Sequence, residues 1–212
     1  MKVVTLNQSN QTEVILEATA MLSAGGSVVY PTDTVYGLGV NPFDDVAVKR
    51  LFRIKKRPPD KPIPLIVRSI AMAKKLAHIR EQEEKILRSV WPGTVSVVLW
   101  KRKLVSPFIS AHTQTVALRI PDNEFCLCLS RAFNSPITST SANISGENHT
   151  NDPGEIAKRF SQEFYKPDLL IDAGKLMLTK PSTVLDLTVA KPRITRIGPV
   201  SPRELKKILG VS

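Results

Sequence analysis

The sequence predicts a mixed α/β fold: a single domain over residues 1–212, built on an open, twisted sheet of parallel and antiparallel strands flanked by helices. Three observations predict it. Strand-like and helical patterns alternate through the first half of the chain, as crossovers between parallel strands require. Later, "DLLIDAG", "STVLDLT" and "PRITRIG" follow one another with no helix between, so they should pair at least partly antiparallel. The length of 212 residues and the hydrophobic fraction of 42% suit one well-buried core, and no linker, repeat or low-complexity tract interrupts the chain.

Element by element, "KVVTL" reads as a short first strand. "QTEVILEATAMLSAGG" reads as a helix with Val14, Ala18, Met21 and Leu22 on one face, stopped by Gly25 and Gly26. "SVVYP" is a buried strand, and residues 32–42 form a loop. A helix opened by Asp44 or Asp45 carries Ala47, Leu51 and Ile54 at helical spacing and ends at Pro58 and Pro59. "IPLIVRS" is a strand, and "IAMAKKLA" and "EQEEKILRSV" are short helices. The strands "TVSVVLWK" and "TVALRI" follow, then a helix through "EFCLCLSRAF" and a strand "PITST". Residues 141–154 form the longest polar loop, of a kind often functional in compact domains. "DPGEIAKRF" is a helix, and after the three late strands a last helix opens with Ser201, Pro202 and Glu204 as a capping box.

Composition excludes several functions. No run approaches the roughly 18 apolar residues of a membrane helix. The start, "MKVVTLNQSNQTEV", lacks the basic, apolar, small-residue order of a secretory signal, so a cytoplasmic protein without membrane attachment is expected. Cys126 and Cys128 cannot build a disulfide framework and read as ordinary thiols. His78, His112 and His149 are scattered without metal-ligand spacing, so neither a Ser-His-Asp device nor a protein-bound zinc is expected. No glycine-rich phosphate loop or dinucleotide fingerprint occurs.

A net charge of +11 favours a polyanionic partner, whether nucleic acid, nucleotide or membrane headgroup. The stretch "KRLFRIKKRPPDK" holds seven Lys or Arg against one acid, so carboxylates at i,i+4 are too few to offset them. Lys55 and Arg57 within it are expected to emerge from a stiff turn at a helix end and reach outward to a polyphosphate. Polar residues also gather at strand ends: Thr32, Asp33, Thr34 and Tyr36 after one strand, Arg119 after another, then residues 138–143, Ser182 with Thr183, and Arg196. Open sheets hold ligands there. Hydroxyls and cations without a base suit charge stabilisation at a phosphate, as in phosphoryl or nucleotidyl transfer.

Taken together, "PTDTVYGLG", the Lys-x-Arg of "KKRPPDKP", "WPGTVSVVL", "VALRIP", the Ser-x-Asn of "TSTSANISG", "PSTVLDL" and "RIGPVS" resemble the YrdC-like family, the threonylcarbamoyl-adenylate synthases. They stand in the family's order over most of the chain. The resemblance implies that L-threonine, bicarbonate and ATP, with Mg2+ bound to the nucleotide, give threonylcarbamoyl-AMP and pyrophosphate. Downstream threonylcarbamoyl-transferase proteins would then modify the adenosine beside the anticodon of certain tRNAs, and the resemblance leaves open whether the chain itself contacts tRNA. It further implies Lys55, Arg57, Ser141 and Asn143 as catalytic and ATP-binding residues, with Thr115, Ser139, Arg196 and Lys61 also toward the nucleotide. Thr32, Arg119 and Ser182 would hold the threonine. Arg68 stands where family members often carry a histidine, and is expected to contact the threonine or alter amino-acid choice. The ending "RELKKILGVS" reads as the short, single-domain form.

Two other readings stand beside it. One is an RNA-binding module without catalysis, which the low aromatic content of 6% argues against. The other is a carbamoyl transfer of the kind served by YrdC-like domains in hydrogenase maturation, whose additional domains and motifs do not appear here.

Overall fold

A computed structural model describes residues 1–177 and 180–209. Its strands are β1 (Lys2–Thr5), β2 (Val28–Tyr30), β3 (Gly37–Gly39), β4 (Leu65–Ile66), β5 (Val95–Trp100), β6 (Thr115–Arg119), β7 (Ile137–Thr138), β8 (Thr140–Ser141), β9 (Leu169–Asp172), β10 (Thr183–Asp186) and β11 (Arg193–Arg196). The helices are α1 (Gln11–Ser23), α2 (Asp45–Lys55), α3 (Ile70–Leu76), α4 (Glu81–Val90), α5 (Glu124–Ala132), α6 (Pro153–Ser161) and α7 (Pro202–Leu209). None of the described helices is long and apolar enough to cross a membrane.

The mixed α/β class holds, but the strands form two sheets where the sequence predicted one. Their orders are β1-β9-β2-β3-β8 and β11-β10-β5-β6-β4-β7. The split occurs inside the segment that reads as one strand, "PITST". Thr138 pairs with Leu65 in the second sheet, whereas Thr140 pairs with Leu38 in the first. Between them Ser139 donates its N–H to the Pro64 carbonyl at 2.8 Å. Thr138 ties the sheets further, since its Oγ1 accepts from the Val40 N–H at 2.9 Å and its carbonyl from the buried Tyr30 hydroxyl at 3.0 Å.

The late strands also divide. β10 and β11 pair antiparallel as expected, but β9 runs parallel to β1 and β2, and β10 runs parallel to β5. The loop predicted over residues 32–42 contains β3, which pairs antiparallel with β2.

Helix ends follow the capping chemistry in the sequence. Asp44 Oδ1 accepts from the N–H groups of Val46 and Ala47, at 2.9 and 3.1 Å, and opens α2. Lys56, at φ 48°, turns the chain out of that helix. Ser201 and Glu204 close a reciprocal capping box at α7.

Strand alternation separates core from cleft. On β5, Val95, Val97 and Leu99 enter the main core with Val116 and Leu118 of β6. The alternate residues, Ser96, Val98, Ala117 and Arg119, line a cavity on the opposite face. A second core packs Val14, Ala18 and Leu22 of α1 against Val28, Tyr30, Leu169 and Ile171 of the first sheet.

Candidate active site

The cavity measures about 380 Å³. Its floor is the second sheet, and residues 32–37 with β8 from the first sheet form its opposite wall. Arg57, Lys61, Arg119 and Arg196 line it, and among the described lining residues there is no carboxylate. Thr32, Ser96, Ser139, Ser141 and Ser182 are among the hydroxyl residues that line it, with Thr34, Thr140 and Thr195.

Each arginine is held by its own backbone environment. Arg57 follows the left-handed Lys56 and donates from Nε to the Lys61 carbonyl at 3.2 Å and from Nη2 to the Pro62 carbonyl at 2.9 Å. Its side chain thus clasps the proline-rich turn that presents it. Arg196 donates from Nε and Nη2 to the Ser182 carbonyl, at 3.0 and 2.8 Å, and from Nη2 to Ser182 Oγ at 3.1 Å. Ser182 Oγ in turn bonds Ser96 Oγ at 2.8 Å. Buried Arg119 donates from Nε to the Gly93 carbonyl at 2.8 Å, from Nη1 to Thr34 Oγ1 at 3.1 Å, and from Nη2 to the Asp33 carboxylate.

These cations act on one another. Burial, then the charge of Arg196, pulls the Arg57 guanidinium below its usual range. Burial, then the charge of Arg119, does the same to Arg196. A run of like charges held together without carboxylates between them is suited to receive an anion.

Of the residues predicted from the sequence, Thr32, Arg57, Lys61, Arg119, Ser139, Ser141, Ser182 and Arg196 come together around this cavity. Thr32 contributes less freedom than expected. Its hydroxyl donates to the Val35 carbonyl at 2.7 Å and accepts from the N–H groups of Thr34 and Val35, so it shapes the loop as well as facing the cavity.

Lys55 is a correction. The sequence predicts an exposed cation, yet the residue is 1% exposed and does not line the cavity. α2 continues through Lys55 and turns only at Lys56, so Lys55 stays on the buried face with Leu51 and Ile54. Its Nζ donates to the carbonyls of Ser141 and Asn143, at 2.5 and 2.6 Å, and to Asn143 Oδ1 at 3.2 Å. Lys55 therefore pins the Ser-x-Asn segment from beneath. Burial, then the Arg57 charge, pulls its ammonium down to about 7. Asn143 also lies behind the cavity wall, where its Oδ1 accepts from Ser141 Oγ at 2.6 Å and its Nδ2 donates to the Glu147 carbonyl at 2.6 Å.

Arg68 and Thr115 are corrections too. Arg68 donates to the Ser130 carbonyl at 3.3 Å and to Asn134 Oδ1 at 2.9 Å, in a separate pocket of about 210 Å³. It lies past the short β4, where the chain has turned toward the end of α5. Thr115 shares a strand face with Ala117 and Arg119 but stands at the far end of β6, where its hydroxyl meets Thr113 Oγ1 at 3.2 Å. Sequence reasoning named Thr34 as a polar strand-end residue but missed Ser96. Ser96 was signalled by a lone hydroxyl between valines in "TVSVV".

The residues present do not fit a protein-held divalent ion. No group of three or more His, Cys, Asp or Glu converges among the described residues, and the cavity wall is cationic.

With that geometry in place, the comparisons decide the family. The Sua5_yciO_yrdC family model, described as "Telomere recombination", matches residues 20–198. The chain belongs to the Sua5/YciO/YrdC family. Among relatives of this Sua5/YciO/YrdC chain, the threonylcarbamoyl-AMP synthase of Pyrococcus abyssi is 37% identical over 194 residues, covering 91% of this chain and 56% of its own length. A putative threonylcarbamoyl-AMP synthase of Mycobacterium tuberculosis strain H37Rv is 34% identical over 198 residues, covering 93% of this chain and 89% of its own length. Among solved structures, P. abyssi Sua5 complexed with L-threonine superposes with a TM-score of 0.91 at 33% identity, over 99% of this chain and 61% of that one. E. coli YciO superposes with a TM-score of 0.85 at 27% identity, over 96% and 98% of the two chains. The chain thus spans just over half the length of the P. abyssi and Bacillus subtilis relatives, at 56% of each.

Proposed function

We propose that this protein is a threonylcarbamoyl-AMP synthase, joining L-threonine, bicarbonate and ATP into threonylcarbamoyl-AMP with release of pyrophosphate. The product would serve threonylcarbamoyl-transferase proteins that modify adenosine beside the anticodon of tRNA. The observation that carries the reading is the hydroxyl-lined cavity holding Arg57, Arg119 and Arg196, without a carboxylate among its described lining residues, in a chain of this family. Its support includes a Sua5 structure that holds L-threonine and covers nearly all of this chain.

In this reading the threonine carboxylate pairs with Arg119, at the wall formed by residues 32–37. Once the amine has attacked bicarbonate and water has left to give a carbamate, a carbamate oxygen attacks the α-phosphorus of ATP and the α–β bridging oxygen leaves with pyrophosphate. Arg57, Lys61 and Arg196 face the phosphates, where charge grows on the non-bridging and leaving oxygens. Ser139 offers its hydroxyl on the opposite wall, and Ser141 stands beside it with its hydroxyl proton given to Asn143 Oδ1. A magnesium ion would enter as the counterion of the nucleotide's own phosphates.

The test is pyrophosphate release from ATP with bicarbonate and magnesium, with L-threonine present, absent, or replaced by L-serine. Release that requires L-threonine is the expected result. Equal release without any amino acid, or none at all, sinks the assignment.

RNA contact is a second reading, favoured by one feature of α2. Lys49 and Arg53 lie over the rings of Phe108 and Tyr165, and neither has a carboxylate partner among the described residues. Binding of tRNA that falls steeply with added salt, and less steeply in Lys49→Ala, supports it.

A further inference from the structure

Asp33 lies behind Arg119 and does not line the cavity. Both of its carboxylate oxygens are used: Oδ1 accepts from Arg119 Nη2, and Oδ2 accepts from the backbone N–H of Asp122 at 3.0 Å. The two side chains are 10% and 6% exposed, so solvent screens the pair little. Backbone and side chain thus lock Asp33, and Asp33 locks the guanidinium.

The count of donors shows what the lock leaves over. A guanidinium carries five N–H groups. Arg119 gives its Nε–H to Gly93, one Nη1–H to Thr34 and one Nη2–H to Asp33. One N–H remains on each Nη nitrogen, which leaves Arg119 donors for a ligand's carboxylate. The other arginines of the cavity contact no carboxylate among the described residues, although the charge of Asp60 acts on Arg57 without a bond. The bonds of Arg57 and Arg196 run to carbonyls and a hydroxyl.

The cavity therefore has two electrostatically different ends. At Arg119 a phosphate dianion meets the negative charge of Asp33 just behind the guanidinium, whereas a carboxylate brings half that charge. At Arg57 and Arg196 the positive charge is not offset by a contacting carboxylate. We propose that Asp33 is the positioning residue of an amino-acid carboxylate subsite, fixing Arg119 and making that end of the cavity take a monoanionic carboxylate in preference to phosphate. This rests on the proposed function, in which the amino acid binds at Arg119.

The test is calorimetric titration of the full chain with L-threonine, ATP and inorganic phosphate, alongside its melting temperature, for the wild type, Asp33→Asn and Asp33→Glu. Asn keeps an oxygen for Arg119 or Asp122, so the fold should persist. Asp33→Asn should weaken L-threonine about tenfold, the loss of one charge-assisted bond, and make inorganic phosphate compete with it. ATP affinity and melting temperature should stay near wild type, and Asp33→Glu should recover part of the L-threonine affinity. Unchanged L-threonine affinity without phosphate competition in Asp33→Asn overturns the inference. So does a parallel loss of L-threonine affinity, ATP affinity and melting temperature in both variants, which marks a purely structural residue. A wild type that binds no L-threonine overturns the proposed function itself, and this inference with it.

Discussion

Lys55 shows how far one side chain's burial changes what its charge does. Its ammonium is surrounded by three oxygens of Ser141 and Asn143, which favour the charged form, yet burial and the neighbouring Arg57 draw its pKa from 10.5 to about 7. The unfolded chain then binds the proton more tightly than the folded one between these values. Stability conferred at this site rises with pH across that window, by at most about 1.4 kcal/mol per unit, and is flat below 7 and above 10.5. The expected outcome is an unfolding free-energy difference between wild type and Lys55→Met that grows from pH 7 to pH 9.5 in denaturant titrations. A difference independent of pH would contradict the assignment. Lys55→Met should also cost activity without removing a cavity-lining group, because the carbonyls of Ser141 and Asn143 lose their common donor and that segment loosens.

Among the elements, β10 depends on a close approach that the sequence only hints at. A Cβ at Gly198 would lie 2.3 Å from both the Pro181 carbonyl oxygen and the Thr183 nitrogen, and 2.5 Å from the Ser182 carbonyl carbon. All three are backbone atoms at the start of β10, so no side chain could move aside. Gly198→Ala should destabilise the protein by about 1–3 kcal/mol and displace Ser182, on which Arg196 rests. Denaturant titration reads the first effect, and weakened ATP binding the second. Wild-type values for both would show that the strand yields freely. The starts of α2 and α7 were legible because Asp44 and Ser201 declare themselves through local chemistry. β3 was not, because "GLG" has neither β-branched residues nor alternation and is a strand only through its neighbours β2 and β8. The division of "PITST" between two sheets was hidden for a like reason, since pairing partners far along the chain decide it. Thr32, Arg119, Ser139, Ser141, Ser182 and Arg196 were legible as polar strand ends, whereas Ser96 lies inside β5 and was not. Lys55 and Arg68 were misplaced because a spacing does not say where a helix turns or toward which element a long side chain leaves a strand.

The two sheets, joined through residues 137–141, hold the cavity between them, so a ligand that contacts both should stabilise the molecule as a whole. Arg57 and Arg196 face the cavity against their mutual repulsion, while Ser139 and Ser141 stand where the chain passes between the sheets. An anion spanning these groups relieves the repulsion in the folded state and finds no equivalent site in the unfolded chain. Inorganic pyrophosphate, the proposed leaving group, is the simplest such anion. At about 100 times its dissociation constant it should add about 2.7 kcal/mol to stability, a rise of about 5–10 °C in melting temperature for a chain of this size. Chloride at matched ionic strength screens the arginines but bridges nothing, so it should give only a small part of that rise. Arg57→Ala and Arg196→Ala should each lose most of the pyrophosphate-dependent part. A shift of the same size in wild type and both variants would place the anion elsewhere on this strongly basic surface, and the cavity would then lose its claim to the phosphates.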